Sequence, residues 1–378
     1  MATIDKSLPN TMTEVEIPGQ EEIVEAKEEA VEEISSDGQT EIEMDEEGGA
    51  TINFDPGEVN PEGGEDHDAN LADFLEDNVL DPLASELMEK YTNYKQSRQE
   101  WADSYREGLN LLGFKYVTRT EPFRGASSVT HPVLAEAVTQ FQAQAYKELL
   151  PADGPVRTQI MGDANVAKEE QSKRVKDFMN YQIMDQMKEY EPEFDQMLFY
   201  LPLSGSTFKK VYYDDLLGRA VSKFIPAEDL VVPYSATSLE DAEAVIHVIR
   251  MSPNDLRKQQ INGFYRDIDL GEPPVQEDKL KQKELELEGV TSNGTEDVYT
   301  ILEMHVDVDL EGHEDVNPED GEPTGIKLPY IITIDEANEK VLSIRRNYAP
   351  EDPLKKKKDY FVHFKFLPGL GFYGLGLI

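Results

Sequence analysis

The sequence predicts an α+β protein in which amphipathic helices come first, antiparallel strands and hairpins follow, and an acidic leader precedes both. Three observations support this prediction. Apolar residues recur every three or four positions between residues 81 and 190, and every second position beyond Ser204. Residues 1–80 contain 25 acidic and 2 basic residues. Helices followed by a separate run of antiparallel strands are typical of the α+β class.

The acidic leader, residues 1–77, is predicted to be disordered. Its Glu runs are interrupted by Gly and Pro, and before Phe74 its only aromatic residue is Phe54. Ordering one residue costs ~1–2 kcal/mol of conformational free energy, and a segment with so little apolar surface cannot offset that cost. Two roles remain open for it: a solubilising tail, and a docking tail for a basic partner.

The helical region is predicted to span residues 78–203, and its first helix is the longest. Asp81 can cap a helix that Pro82 begins, because proline suits the first helical position. Steps of three or four continue to Leu112 if Arg98 fills one gap in the apolar stripe. The sequence therefore predicts one long amphipathic helix with apolar positions Leu87, Tyr91, Tyr94, Trp101, Tyr105, Leu109 and Leu112.

Two further helices complete this region. The second helix follows Pro132 and ends before Pro151. The third runs from about Asn165 to Tyr190, where Pro192 breaks it. Methionine fills irregular gaps in cores, so we expect the stripe of the third helix to face the core; it consists of Val175, Phe178, Met179, Ile183 and Met187.

The remaining chain divides into a β-hairpin and strand region at 204–270, a charged linker or insertion at 271–297, and a β-rich region at 298–378. In the first of these regions, Thr207–Tyr213 and Arg219–Ile225 flank a polar turn, which predicts a hairpin. Ala244–Met251 is a further strand. Ser252 then begins a capping box, which predicts a short helix.

The β-rich region opens with a strict alternation of apolar and polar residues, namely Leu302, Glu303, Met304, His305, Val306, Asp307, Val308, Asp309 and Leu310. A second hairpin turns at Asp335–Lys340, and Phe361–Leu367 is another apolar strand. The Gly-rich apolar end, Gly371–Ile378, is expected to be exposed, whereas a complete domain would bury or continue such a segment. This favours reading the sequence as a fragment of a longer protein.

Composition excludes several classes of protein. With 36 basic and 77 acidic residues the net charge is −41, so a basic patch that binds nucleic acid tightly is not expected. The chain has no cysteine, which excludes disulfides and cysteine-ligated metals. It also lacks a signal peptide and any run of 18 apolar residues, so a soluble protein without a membrane partner is predicted.

Four patterns suggest chemistry, and each departs from the motif that it imitates. Asp307–Gly312 imitates a calcium loop, but Pro318 occupies the position of its bidentate carboxylate. The six histidines show no ligand spacing. Ser204–Ser206 lacks the first glycine of a nucleophile elbow. Gly369–Gly374 matches a dinucleotide motif, but its aromatic residues crowd the phosphate position. No catalytic residue, metal or cofactor is therefore predicted.

Four consecutive lysines, Lys355, Lys356, Lys357 and Lys358, form the main basic feature of this acidic chain. Such a run is usually a solvated turn. Its isolation in so acidic a chain indicates a more specific contact.

Five segments, taken in chain order, carry a resemblance to a known family: Arg124–Pro132 (RGASSVTHP), Leu149–Pro155 (LLPADGP), Ile225–Leu230 (IPAEDL), Ser238–Arg250 (SLEDA, then IHVIR) and Leu367–Gly374 (LPGLGFYG). Together they resemble tailed-bacteriophage portal proteins, the head-to-tail connectors, of the short-tailed-phage type. The resemblance covers residues 81–378 and excludes the acidic leader. The family's chain continues past the Gly-rich segment, so the resemblance identifies this sequence as an N-terminal fragment whose assembly is in question.

The resemblance implies a structural protein of the virion, assembled in the host cytoplasm. Such proteins form a ring, usually of twelve subunits, at one capsid vertex, and the 78–203 region would be its wing-like part. The terminase, which is the packaging ATPase, the capsid, and tail or adaptor proteins are the implied partners, and double-stranded DNA passes through without tight binding. The ring itself is not an enzyme. In such a ring the four lysines, Lys355, Lys356, Lys357 and Lys358, would make a belt of positive charge that touches DNA phosphates or a neighbouring subunit. They are therefore the candidate DNA-channel or inter-subunit contact residues. Composition alone leaves open a non-viral acidic cytosolic adaptor and, more distantly, a metal-dependent hydrolase.

Overall fold

The computed structural model describes residues 41–44, 50–53, 67–112, 123, 125, 131–162, 165–214, 217–273, 279–287, 298–316, 323–369 and 371–378. It separates the chain into two units, Met1–Asp66 and His67–Ile378. In the first unit, strand β1 (Glu41–Met44) pairs antiparallel with β2 (Ala50–Asn53). The rest of this unit, and with it most of the predicted leader, lies outside the described residues.

The second unit begins at His67, inside the segment predicted as leader. Leu71 is fully buried in the main core. The Asn70 side chain accepts a hydrogen bond from the Ile344 N–H at 2.9 Å and donates one to the Leu342 carbonyl at 3.3 Å. Residues 67–77 thus belong to the folded unit, and the predicted boundary at residue 77 is too late. Composition missed this because one buried leucine and one asparagine hold the segment.

The long helix predicted from Pro82 to Leu112 is two helices, α1 (Asp77–Ser97) and α2 (Gln99–Leu109). They meet at Arg98, which leaves the helical conformation with φ −104° and ψ 11°. Helix α1 begins one turn before Pro82 because the added turn buries Leu80. Asp81 is therefore inside the helix, where it pairs with Lys340 instead of capping.

The next two predicted helices have different outcomes. Helix α3 (Val133–Leu149) follows Pro132 as predicted. Helix α4 (Val166–Tyr181) is capped by Asn165, but it ends well before Tyr190 in a π-helical turn at Gln182–Gln186. A separate helix, α5 (Tyr190–Ser204), follows. Pro192 lies in its first turn, where proline is tolerated, so it does not act as a breaker. The predicted core stripe of α4 is exposed, including Val175, Phe178 and Met179.

The strands form two antiparallel sheets within the described residues of this unit. The smaller sheet has the order β10-β3-β4 and contains the predicted hairpin; its strands are β3 (Ser206–Asp214), β4 (Arg219–Pro226) and β10 (Phe361–Lys365). The larger sheet has the order β5-β6-β7-β8-β9; its strands are β5 (Leu230–Val231), β6 (Ala244–Met251), β7 (Tyr299–Val308), β8 (Leu328–Asp335) and β9 (Lys340–Arg346). This confirms the α+β class and both hairpins.

Four layers result from how the two sheets pack. Helix α1 covers one face of the larger sheet and buries Leu80, Leu87 and Tyr91 against β7 and β8. The other face of that sheet meets the smaller sheet, where Phe208 packs in one core with Val245. Helices α3 and α5 cover the far side of the smaller sheet. The polar face of the alternating strand β7 is therefore partly buried between the sheets.

Two short helices lie at the edge of this arrangement. Helix α6 (Pro253–Ile261) is capped by Ser252, whose Oγ accepts from the Asp255 N–H, so the capping-box prediction is confirmed. Helix α7 (Lys279–Leu287) lies inside the segment predicted as a linker, where Leu287 packs against the core around α2 and α3. The Lys, Gln, Glu and Leu residues that make up this stretch all favour helix, and this composition could have indicated one.

Candidate functional site

The four-lysine run lies in the loop that joins β9 of the larger sheet to β10 of the smaller one. Lys355 forms an ion pair with Asp315 at 2.5 Å, and its backbone has a φ of +45°. The Lys357 ammonium donates to the carbonyls of Leu239, at 3.3 Å, and Glu240, at 3.1 Å. Two of the four lysines therefore fasten the loop to the protein itself.

Lys356 and Lys358 of the same loop are exposed. Their backbone groups are held, because the Lys356 N–H donates to Asp352 and the Lys358 N–H donates to the Asn347 carbonyl. Neither ammonium has an ion pair within the part of the chain that the structure describes. The structure thus separates the predicted site into two structural lysines and two lysines that can reach a partner.

The surroundings of these two lysines are close to electrically neutral. Glu351, Asp352 and Asp359 lie within the same loop, so residues 351–359 contain three acidic and four basic residues. The whole chain has a net charge of −41. An anion that touches Lys356 or Lys358 meets a weak local attraction inside a repulsive surface. Such a loop suits brief contact with phosphate and does not suit capture.

A buried charged cluster lies between the two sheets. The Lys210 ammonium of β3 lies 2.5 and 2.7 Å from the carboxylate oxygens of Glu303 on β7, and His305 Nε2 lies 2.9 Å from the same carboxylate. Burial acts to raise the pKa of Glu303, but the charge of Lys210 and the His305 hydrogen bond outweigh it and lower that pKa. Glu303 is therefore a buried anion whose ion pair with Lys210 links the two sheets.

His247 on β6 lies beside this cluster. Burial lowers its pKa to about 3, while Glu303 acts to raise it and Lys210 to lower it. Its Nδ1 is buried and has no hydrogen-bond partner among the described residues. Burial also lowers the pKa of His305. Both imidazoles are therefore neutral near pH 7, and neither is placed as a proton donor for an external substrate.

Arg98, read from sequence only as a gap in an apolar stripe, is buried at the junction of α1 and α2. Its guanidinium donates to the carbonyls of Ala227, Glu228 and Leu230 at 2.5–2.9 Å and to the Tyr373 hydroxyl at 3.2 Å. It also stacks near the Trp101 ring. A single arginine within an otherwise apolar stripe was the signal that could have identified this buried junction.

Ser206 and His363 form a second buried polar pair. His363 Nε2 lies 3.0 Å from Ser206 Oγ, which also accepts a hydrogen bond from the Gly374 N–H at 2.7 Å. Ser206 is fully buried, so no substrate reaches its hydroxyl. Burial lowers the pKa of His363 to about 3, with a further contribution from Lys365. This pair holds the Gly-rich segment in place and is not arranged as a nucleophile and base.

The Gly-rich end of the chain is packed, contrary to the predicted exposed tail. Phe372 is fully buried, and a Cβ at Gly374 or Gly376 would lie within 2.4 Å of the backbone of residues 203–205. The glycines are thus needed for close approach of two chain segments, which leaves no phosphate cradle there. Among the described residues of this segment, Leu375 and Leu377 keep exposed side chains.

The remaining sequence patterns do not converge on a metal. Asp307 and Asp309 are exposed on the alternating strand, and Pro318 lies outside the described residues. In the part of the chain that is described, no group of three or more His, Asp or Glu side chains could hold a metal ion. None of the helices described there is long and apolar enough to cross a membrane.

Comparison with known proteins adds no identification. No protein-family model matches the chain, and no curated protein is similar to it at a significant level. The function must therefore be argued from the residues and from the geometry described above.

Proposed function

We propose that this protein is a structural portal subunit of a tailed bacteriophage, one of several identical copies in a ring through which double-stranded DNA is packaged and ejected. One observation carries the proposal. Two of the segments that resemble portal proteins, Ile225–Leu230 and Leu367–Gly374, lie about 140 residues apart and meet around Arg98. Because both segments resemble portal proteins and also contact the same buried arginine, they support a portal-like fold more strongly than two matches at unrelated places would.

The other three segments that resemble portal proteins lie elsewhere in the chain. Leu149–Pro155 forms the end of α3 and the turn after it, and Ser238–Arg250 leads into β6. Most of Arg124–Pro132 lies outside the described residues. In the proposed ring, each subunit would present Lys356 and Lys358 from an otherwise acidic surface, so DNA could pass with brief phosphate contacts.

The adaptor alternative has less support from the fold. It required the two predicted helices at 81–112 and 132–150 to be free as a partner platform. Helix α1 instead uses its apolar stripe inside the molecule, against the larger sheet. Val138 of α3 is likewise fully buried beside α2. Neither helix keeps the broad apolar face that a partner would need.

The oligomeric state tests the portal proposal. We expect the protein, purified at its full natural length and kept at micromolar concentration, to form closed rings with cyclic symmetry. Negative-stain electron microscopy shows the rings, and mass photometry gives their mass. Ring closure requires a heterologous interface, in which two different surfaces of the subunit meet. A protein that forms only monomers or two-fold dimers at every concentration would contradict the proposal and favour an adaptor.

A further inference from the structure

Helix α4 is 16 residues long and exposes an apolar face to solvent. Val175, Phe178 and Met179 occupy positions i, i+3 and i+4, and their exposed fractions are 43%, 58% and 42%. No residue of the helix is buried. Residues at this spacing lie on one side of a helix, so the exposed side chains form a continuous stripe, here called the α4 stripe.

The side of α4 next to this stripe is covered, and it is the polar side. The Asn180 side chain accepts from the Val156 N–H at 2.9 Å and donates to the Val156 carbonyl at 3.3 Å. The Ser172 hydroxyl donates to Thr158 Oγ1 at 2.8 Å. A Cβ at Gly154 would lie 2.4 Å from Asn180, so this close approach requires glycine. Among the described residues, the turn at 154–158 therefore partly covers the polar side of α4, and the apolar side stays open.

This arrangement is the reverse of an ordinary surface helix, which turns its apolar side to the core. Most helical stability in proteins comes from packing an apolar face. Helix α4 obtains little of that stabilisation from the described part of its own chain, because none of its residues is buried. The geometry points to a second surface that covers the α4 stripe in the working protein.

The charge of α4 indicates what kind of surface can cover the α4 stripe. Helix α4 contains four basic and three acidic residues, whereas the whole chain has a net charge of −41. Arg174 lies one turn before Phe178 and so flanks the stripe. A surface that complements α4 is apolar at its centre and acidic at its rim. DNA fits less well, because a net charge of +1 and an apolar stripe offer few phosphate contacts.

We propose that the α4 stripe binds an acidic surface of a second copy of this chain. The acidic surface and the slightly basic helix belong to the same molecule, so identical copies can associate head to tail. The choice of a second copy rests on the proposed function, in which the protein acts as one of several identical subunits. The stripe would then be part of the interface that closes the ring.

Matched variants test this inference by sedimentation velocity over about 1–50 μM. Phe178→Glu places a charge in the α4 stripe and should weaken self-association at least about tenfold. Arg174→Glu should weaken it less, and mainly at low salt. Ile261→Glu, which changes a 71%-exposed apolar residue at the end of α6, serves as the control and should associate like wild type. Far-ultraviolet circular dichroism checks that every variant is folded.

A photo-cross-linking amino acid at position 178 identifies what covers the stripe. We expect a product of twice the chain mass, and none from the same group at position 261. The inference is overturned if the Phe178→Glu variant still forms rings and the protein with the cross-linker at position 178 gives no product of twice the chain mass. The portal proposal would then still stand. A cross-link between copies that form only two-fold dimers would support the inference and overturn the portal proposal. Cross-linking to added double-stranded DNA in place of a second copy, or to nothing, would overturn the inference.

Discussion

At the scale of the single residue, Arg98 connects three distant parts of the chain. Its guanidinium satisfies three backbone carbonyls and one hydroxyl in a buried position. Arg98→Met should lower the free energy of unfolding by roughly 3 kcal/mol, because it leaves buried acceptors without donors. Arg98→Lys should lose less, since one ammonium reaches only some of these acceptors. Urea unfolding measures both values, and an Arg98→Met variant as stable as wild type would contradict this account.

In the lysine loop, we expect substitution of Lys355 and Lys357 to affect stability and substitution of Lys356 and Lys358 to affect function. Lys355→Gln with Lys357→Gln removes the bonds that fasten the loop and should lower the melting temperature by about 1–3 °C. Lys356→Gln with Lys358→Gln should leave the melting temperature unchanged, yet alter DNA packaging or retention in assembled particles. Differential scanning calorimetry and the DNA content of particles measure the two effects. If particles with Lys356→Gln and Lys358→Gln package and retain DNA normally, this loop is only a solvated turn.

His247 predicts a dependence of stability on pH. Its pKa is about 3 in the folded protein, against about 6.5 in an unfolded chain. Between these values the unfolded chain binds the extra proton, so the free energy of unfolding falls as the pH falls below about 6.5. Between pH 7 and pH 5, His247 should account for roughly 2 kcal/mol of this loss.

The variant His247→Leu should remove that part of the pH dependence, while the nearby Lys210, Glu303 and His305 remain. The matched control is His131→Leu, which changes an exposed histidine and should keep the wild-type pH dependence. Urea unfolding at pH 7 and pH 5 gives the comparison. Equal losses in wild type and His247→Leu would show that the buried histidine does not carry this effect.

Residues with local signals were predicted well, and residues that depend on distant partners were not. Ser252 caps its helix through a bond to Asp255, three positions away, and the sequence shows both. The pairing of Lys355 with Asp315 and of Lys210 with Glu303 joins residues 40 and 93 positions apart. Nothing local marks such pairs, so the lysine run could be found from sequence but not divided into its two halves.

At the scale of elements, the Gly-rich segment shows why a motif match can mislead. Two of its glycines, Gly374 and Gly376, allow close backbone approach to residues 203–205 at the end of α5, and this predicts a graded response to alanine. Gly374→Ala and Gly376→Ala should each lower the free energy of unfolding by about 2 kcal/mol or more, because the added methyl group meets backbone atoms. Gly371→Ala is the control, since its Cβ would lie 3.6 Å from the Tyr234 ring in ordinary contact. Chemical denaturation ranks the three variants, and equal effects would contradict the packing role.

The hairpins were predicted correctly because their pattern and their turns are local in sequence. The helices between residues 77 and 204 were divided wrongly at two places. The break at Arg98 and the π-helical turn at Gln182–Gln186 leave the apolar spacing almost undisturbed. Periodicity alone therefore cannot show where one helix becomes two. It also cannot show which side of α4 the chain itself will cover.

At the scale of the whole molecule, the folded unit should begin at His67 and not at residue 78. A chain shortened to start at His67 should keep the melting temperature of the full chain. A chain shortened to start at Asn78 loses Leu71 and the Asn70 hydrogen bonds to β9, and its melting temperature should fall by about 5 °C or more. Calorimetry of the two shortened chains decides this, and equal melting temperatures would return residues 67–77 to the leader.

The hydrogen bonds between the two ends of the folded unit can form only late in its synthesis. Asn70 bonds to Ile344, 274 residues later, and Arg98 bonds to Tyr373, 275 residues later. A ribosome that adds about 5–20 residues per second needs roughly 14–55 s to make that length of chain. For much of this interval α1 is already made while strands that cover its apolar side, ending with β9, are still being translated. The core under α1 is therefore completed only after β9 has been made.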